Sequence, residues 1–342
     1  VSLGKRRVEF DQTVLKESSG APRSRAEVLE SVGTVLRETV SLGLARLSDA
    51  TAGRLTTLAV SAHGVDLPRL ERMLKALANE VRLALERDAQ SSSARLLSQA
   101  GRIEALRLAL ANSSSAALVG RHRSHYFEVG QITLIGLGAQ HWHSKGGYRG
   151  LTVYFWDQSR DAWATWTESR PANQTGFSAP DRFRAGGPWA GCNSPEEASR
   201  SVLRLSGAWR NPQGRISGRP GIRAAVVGPS RPQRIPDAVT DWSVLVERVR
   251  RVFGGGLTTQ AENLDLVLLL PRVWGPPRFD PLRQELRRPV VDAAGLSLDL
   301  WLPFTPEQER AVERLEQFLP GEDAGLVGSQ RLVGGAVCVQ PI

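Results

Sequence analysis

The run Leu151-Thr-Val-Tyr-Phe-Trp-Asp-Gln-Ser-Arg-Asp-Ala-Trp-Ala-Thr-Trp-Thr167 decides how the middle of this chain folds. Two segments rich in β-branched and aromatic residues, 151–156 and 162–167, flank the polar turn Gln158-Ser-Arg-Asp161 and read as an antiparallel hairpin. Upstream, 131–137 reads as a third strand. Downstream, a Pro/Gly/Arg-rich loop spans 171–188, and a short helix capped by Ser194 covers 195–200. Strands at 202–209 and 222–227 follow, separated by the turn Asn211-Pro-Gln-Gly214. The order β-β-β-α-β-β is that of an OB fold, a small Greek-key barrel.

Beyond the middle block the order repeats. A helix at 242–253 ends at Gly254-Gly-Gly256, and strands are expected at 264–270, 283–291 and 296–302. A helix over 306–319 is capped by Thr305, and strands at 326–332 and 336–340 close the chain. This predicts a second OB-like barrel, with a generic α+β domain as the alternative. Ahead of the middle block the period is helical. The capping box Ser24-x-x-Glu27 opens a helix through about Leu47, and further helices fall near 52–62, 67–87 and 93–111. In the third, Leu70, Leu74, Leu77, Val81 and Leu85 recur at three and four residues. The expected fold is an α+β multidomain chain: an N-terminal α-helical bundle followed by two OB-like small β-barrels. Its segments are an irregular 1–24, helical 25–128, a basic barrel 129–238, and a helix plus second barrel 239–342.

The 342 residues carry a net charge of +9, but only four of the 44 cations are lysine. Arginine excess with scarce lysine follows GC-rich coding, so the total charge alone does not announce nucleic acid. Its distribution says more: the three blocks carry +5, +7 and −3, and the middle one holds six of the nine tryptophans. On the strand 151–156, Val153 and Phe155 face one way and Thr152, Tyr154 and Trp156 the other. If one set is core, the other faces outward. Tyr148, Arg149, Tyr154, Trp156, Trp163, Trp166, Arg204, Arg210 and Arg215 are therefore the expected contacts to a partner protein or to single-stranded nucleic acid, in which bases stack on aromatics and cations track phosphates.

Catalytic signatures are missing from the sequence: no Gly-x-Ser-x-Gly elbow, no His-Glu-x-x-His and no Walker lysine motif. His141-Trp-His143 places two imidazoles on one strand face, and His122-x-x-His125 could add ligands, yet no acid or cysteine is close by and no metal site is expected. Cys192 and Cys338 suggest neither a disulfide scaffold nor a cofactor. The absence of an apolar span or signal core makes the cytoplasm the expected compartment, with no membrane partner.

The run Val129-Gly-Gln-Ile-Thr-Leu-Ile-Gly-Leu-Gly-Ala-Gln-His-Trp142, continued by Gly147-Tyr-Arg-Gly-Leu-Thr-Val-Tyr-Phe-Trp-Asp157, resembles the region downstream of the finger in bacterial SWIM zinc-finger proteins. So do Leu205-Ser-Gly-Ala-Trp-Arg-Asn-Pro-Gln-Gly-Arg215 and the leucine-rich helices before it, which extends the resemblance over 25–342. The finger itself, Cys-x-Cys followed by Cys-x-His, is absent, so zinc binding is not carried over. The resemblance implies DNA or protein binding beside MoxR-type ATPases and von Willebrand A-domain proteins. A non-enzymatic adaptor binding a partner protein is the expected function, with single-stranded nucleic-acid binding as the alternative.

Overall fold

The computed structural model describes residues 24–43, 46–87, 93–120, 125–144, 147–172, 174–254, 265–305, 308–321, 324–333 and 335–342. The chain divides into two compact units, Val1–His122 and Arg123–Ile342. The expected irregular segment 1–24 lies, up to residue 23, outside the described residues, as do His122 and the start of the helix expected at 306.

The first unit is helical: α1 Arg25–Leu42, α2 Asp49–Gly64, α3 Pro68–Leu85, α4 Ser93–Asn112 and the single turn α5 Ala116–Val119. Ser24 closes its capping box on Glu27, with the Glu27 N–H donating to the Ser24 hydroxyl and the Ser24 N–H donating to the Glu27 carboxylate. α1 stops at Leu42 rather than near 47, because Gly43 takes a left-handed φ of 78° and turns the chain. Leu70, Leu74, Leu77 and Val81 are all buried, so the three-and-four spacing does mark the inner face of α3. α1 touches α2 and α4, and α3 touches the same two, which closes the four long helices into a ring.

The second unit carries two sheets. The first has the order β3-β2-β1-β4-β5, with β1 Phe127–Ser144, β2 Tyr148–Asp157, β3 Ala162–Pro171, β4 Ser201–Arg210 and β5 Arg223–Pro229, all neighbours antiparallel. β1 runs for 18 residues where the alternation predicts only 131–137. It pairs with β2 along one edge and β4 along the other, bending at irregularities beside Gly130 and between Gly136 and Gly138. Those glycines break the polar–apolar alternation, which hides the strand's length from the sequence. A short helix, α6 Ala179–Arg184, occupies part of the expected loop. The predicted helix α7, Pro195–Arg200, crosses β1 at Gly136, where a Cβ would stand 2.2 Å from the Ala198 carbonyl oxygen. Asn211 folds the following segment back: its side chain accepts from the N–H groups of Gln213 and Arg215, and Ile216 then donates to the Thr165 carbonyl, bonding this segment to the free edge of β3.

The second sheet contains β6 Ala238–Val239, β7 Leu266–Leu269, β8 Val273–Trp274, β9 Arg278–Asp280, β10 Glu285–Val291, β11 Ser297–Pro303, β12 Leu326–Val333 and β13 Ala336–Pro341. Its order is β6-β7-β12-β13-β11-β10-β8, with β9 also on β10. β7 and β8 stand near opposite ends of that order, yet only Leu270-Pro-Arg272 separates them in sequence, so one bent strand bonded at each half to a different neighbour closes the sheet. β11 and β13 pair parallel, as the closing strands of an OB barrel do. Two helices belong to this half, α8 Ser243–Gly254 and α9 Glu309–Gln317. Residues 265–342 are thus mixed α+β and form a C-terminal OB-fold domain. A cut after residue 238 runs through β6, which is already paired with β7 through Ala238 and Leu268.

The two sheets share a core of their own. Ile135 and Trp156 from the first meet Ile235, Leu268 and Val327, with Leu137, Trp163, Val202, Ala238 and Ile342 half-buried around them. Trp156 is 4% exposed and stands edge-on to Trp163 at 5.9 Å. Truncating it should cost about 3–5 kcal/mol. Trp156→Ala is therefore expected to lower the stability of the second unit by that amount in urea denaturation, while Trp156→Phe costs much less, because the indole N–H has no acceptor among the described residues.

A second stability test concerns Asp292. Burial alone would raise its pKa, but the backbone N–H groups of Trp242, Leu296 and Ala294 donate to its carboxylate at 2.8–2.9 Å, and the net shift is downward. A depressed folded pKa means that the stabilisation is complete above the unfolded value of about 3.9 and is lost as pH falls below it. Asp292→Asn should lower stability at neutral pH and flatten this acid dependence in denaturation midpoints measured from about pH 6 downward.

Candidate interaction surface

The hairpin of β2 and β3 has no bare face. Val153, Phe155, Ala164 and Trp166 belong to the core of the first sheet, with Ile132, Leu134, Leu203 and Leu205. On the other side Trp156 and Trp163 belong to the core between the sheets. The outward set expected from the alternation does not exist as such: a second sheet covers what a lone barrel would leave open. Trp156 and Trp166 are core residues, and neither presents a ring on which a base could stack.

Most of the remaining expected contacts are absorbed by the fold. Tyr154 is half-buried; its hydroxyl donates to Gln140 at 3.3 Å, and Asp265 and Arg331, paired at 2.9 Å, stand near it. Burial pushes its pKa up to about 12. Arg210 reaches the fully buried carboxylate of Asp157 at 3.6 Å and donates to the Trp163 carbonyl. Burial lowers its pKa, which Asp157 opposes. Arg215 donates to the Thr167 carbonyl at 2.7 Å and Arg149 to the Gln174 carbonyl at 2.7 Å, so both fasten loops to the hairpin. Of the nine residues, only Tyr148, 49% exposed at the start of β2, and Arg204, on the outer face of β4, stand open to solvent.

Exposed large apolar side chains are spread over the chain, from Val40, Val60, Leu97 and Leu108 in the helices to Phe127, Val226 and Val227 on the first sheet, and the two most exposed lie in the C-terminal OB-fold domain. Leu282 is 95% exposed and Leu319 90%. Phe279 is exposed and sits edge-on to Phe304 at 6.1 Å; Phe318 is exposed and its ring lies 5.2 Å from Trp274, beside exposed Val273. β9 flanks Glu285–Arg287 and β8 flanks Val290 and Val291, so the two apolar spots lie at the two ends of β10, about 20 Å apart. Arg272, Arg278 and Arg283 are exposed around them. The sequence signal for these residues is slight: Gly275-Pro-Pro and Asp280-Pro mark a loop in which Phe279 and Leu282 follow no period.

Among the described residues no group of three or more His, Cys, Asp or Glu could hold a metal ion. His141 and His143 are exposed at the end of β1, and His141 packs edge-on to Phe183. Burial, then Arg314 and Arg310, lowers the His141 pKa. Both cysteines are free and buried, and burial pushes the Cys192 thiol up to about 11, which leaves it protonated and unreactive at neutral pH. No helix among the described residues is long and apolar enough to cross a membrane.

By its closure and its parallel β11–β13 pair, then, the C-terminal part is an OB-fold domain. Residues 267–342 match the model of the YehQ C-terminal OB-fold domain, in agreement with that topology. The matching model is of this domain and not of a zinc finger. No curated protein matches the chain. Two solved structures align over 64% of it: one described as "Structural mimicry for functional antagonism", at 8% identity, 91% of its own length and a TM-score of 0.30. The other, "Molecular basis for abrogation of activation of pro-inflammatory cytokines", aligns at 6% identity over 92% of its length with a TM-score of 0.25. At these scores neither likeness bears on fold or function.

The junction makes a spectroscopic prediction. A tyrosine whose folded pKa is raised lends stability that is complete below its unfolded value of about 10 and is lost as pH rises through the folded one. Absorbance titration of the native protein should show a phenolate step near pH 12 that disappears in Tyr154→Phe. A native step at the ordinary tyrosine value for Tyr154 would place that side chain in solvent.

Proposed function

We propose that this chain is a cytoplasmic, non-enzymatic adaptor that holds a partner protein on its C-terminal OB-fold domain. The observation that carries the reading is the pair of leucines, Leu282 and Leu319, left 95% and 90% exposed beside Phe279 and Phe318. The two spots stand about 20 Å apart at the ends of β10, each with a leucine and a phenylalanine in water, and exposed apolar surface rimmed by polar residues marks an interaction site. The arginines around it, Arg272, Arg278 and Arg283, suit a partner segment that is apolar with acidic flanks. The first sheet is read as a second OB-like barrel, because β1 pairs on both sides and the segment before β5 bonds to β3, the connectivity that closes such a barrel. The two barrels then act as one rigid platform. By the SWIM-protein resemblance of 129–157 and 205–215, a MoxR-type ATPase or a von Willebrand A-domain protein is the first partner to try.

Burying a leucine that is otherwise in water contributes roughly 1.5–3 kcal/mol, or about tenfold to a hundredfold in affinity. In titration calorimetry against the purified candidate partners, Leu282→Asp with Leu319→Asp should weaken binding at least about tenfold while the melting temperature holds, since exposed substitutions shift stability by no more than about 0.5 kcal/mol. Binding unchanged by the pair, or a native pull-down that loses every protein on nuclease treatment, would remove the reading.

A further inference from the structure

The outer face of β4 and β5 has a chemistry that the adaptor role does not use. Leu203 and Leu205 point into the first sheet's core, so Arg204 and Ser206 point out. Across the ladder Arg204 stands opposite Ala225 and Ser206 opposite Arg223, which puts Arg204 and Arg223 on one face, diagonal to each other at about 7–8 Å between Cα atoms. Both are exposed, and neither has a carboxylate partner among the described residues. Several other arginines of the unit sit on acids: Arg182 on Glu168, Arg248 on Asp237, Arg287 on Glu285 and Asp299. At one end of the face the Arg219 guanidinium lies 4.2 Å over the half-buried Trp209 ring. At the other, exposed Arg231 follows Ser230, whose N–H donates to the Arg200 carbonyl. On the β1–β4 ladder Glu128 stands opposite Trp209.

Like charges close together on one sheet face repel. Arg204 on β4 and Arg223 on β5, with Arg219 and Arg231 in the flanking segments, form a group of cations that a polyanion with repeated charges relieves. We infer that the β4–β5 face is a single-stranded nucleic-acid site, with Arg204, Arg223, Arg219 and Arg231 holding successive phosphates and the Trp209–Arg219 pair offering one stacking edge. Guanidinium forks bind phosphate oxygens bidentately, and no base-edge readout is needed, so the site is neutral to sequence. An OB barrel ordinarily presents strands 2 and 3 to its ligand. Here that face is closed by the second sheet; on β4 Val202 packs against that junction, and Arg204 and Ser206 beyond it stay exposed.

The test is fluorescence anisotropy of a labelled oligothymidylate titrated with the full chain at several salt concentrations. Arg204→Glu with Arg223→Glu should weaken binding more than about tenfold and reduce the slope of log affinity on log salt by about 1.4, the share of two phosphates on a single strand. Arg310→Glu with Arg314→Glu on α9 makes the same change in net charge and should leave both the slope and the melting temperature near those of the parent. Absence of binding at low salt, an equal loss in both double variants, or equally tight binding of a polyglutamate peptide would each overturn the assignment.

Discussion

Everything in the larger unit depends on how the β2 strand is covered. Phe155 fills the core of the first sheet, and Trp156, one residue on, fills the core between the two sheets. Successive side chains on a strand point to opposite sides, so a strand with large apolar groups at both positions is stable only between two covering layers. The second sheet is that layer. Ile235, Leu268 and Val327 meet Trp156, and the short strand β6 ties the connecting segment directly into the second sheet. The two sheets are joined by core, not by a tether.

This constraint redistributes the charged residues as well as the aromatic ones. Arg210 is drawn onto Asp157 beneath the hairpin, and Arg149 and Arg215 are drawn onto backbone carbonyls that fix loops. A buried acid without a cation nearby would be costly, and an arginine with its stem against apolar surface meets that need while its head stays hydrogen-bonded. What remains on the outside divides into two kinds of surface. The C-terminal OB-fold domain shows leucine and phenylalanine in water among Arg272, Arg278 and Arg283, and strands β4 and β5 show Arg204 and Arg223 without acids beside exposed Val226 and Val227. The two lie on different sheets.

The helical unit and many of the strands are legible in the sequence. Leu70, Leu74, Leu77 and Val81 announce the buried side of α3, the Ser24–Glu27 box announces the start of α1, and the β2–β3 hairpin lies where its turn places it. β1 is legible only over 131–137, because Gly130, Gly136 and Gly138 interrupt its alternation at the points where it bends. α6 is hidden inside a loop-like composition for a different reason: six residues are too few to show a period. The candidate site is less legible than the fold. Arg204 and Tyr148 stay open and the tryptophans do not, since burial of a residue on a strand depends on what packs against each face.

Element type, the division into a helical and a strand-rich part, and the concentration of arginine and tryptophan between residues 129 and 238 all follow from the sequence alone. These are local properties, set by periodicity, turn chemistry and composition. Which aromatics become core, and which surfaces stay in water, is settled by tertiary packing. That choice is made by contacts between residues far apart in the chain, such as Trp156 with Leu268 and Val327. The alternation along one strand can assign two faces, but it cannot say whether a second sheet will come to cover the other.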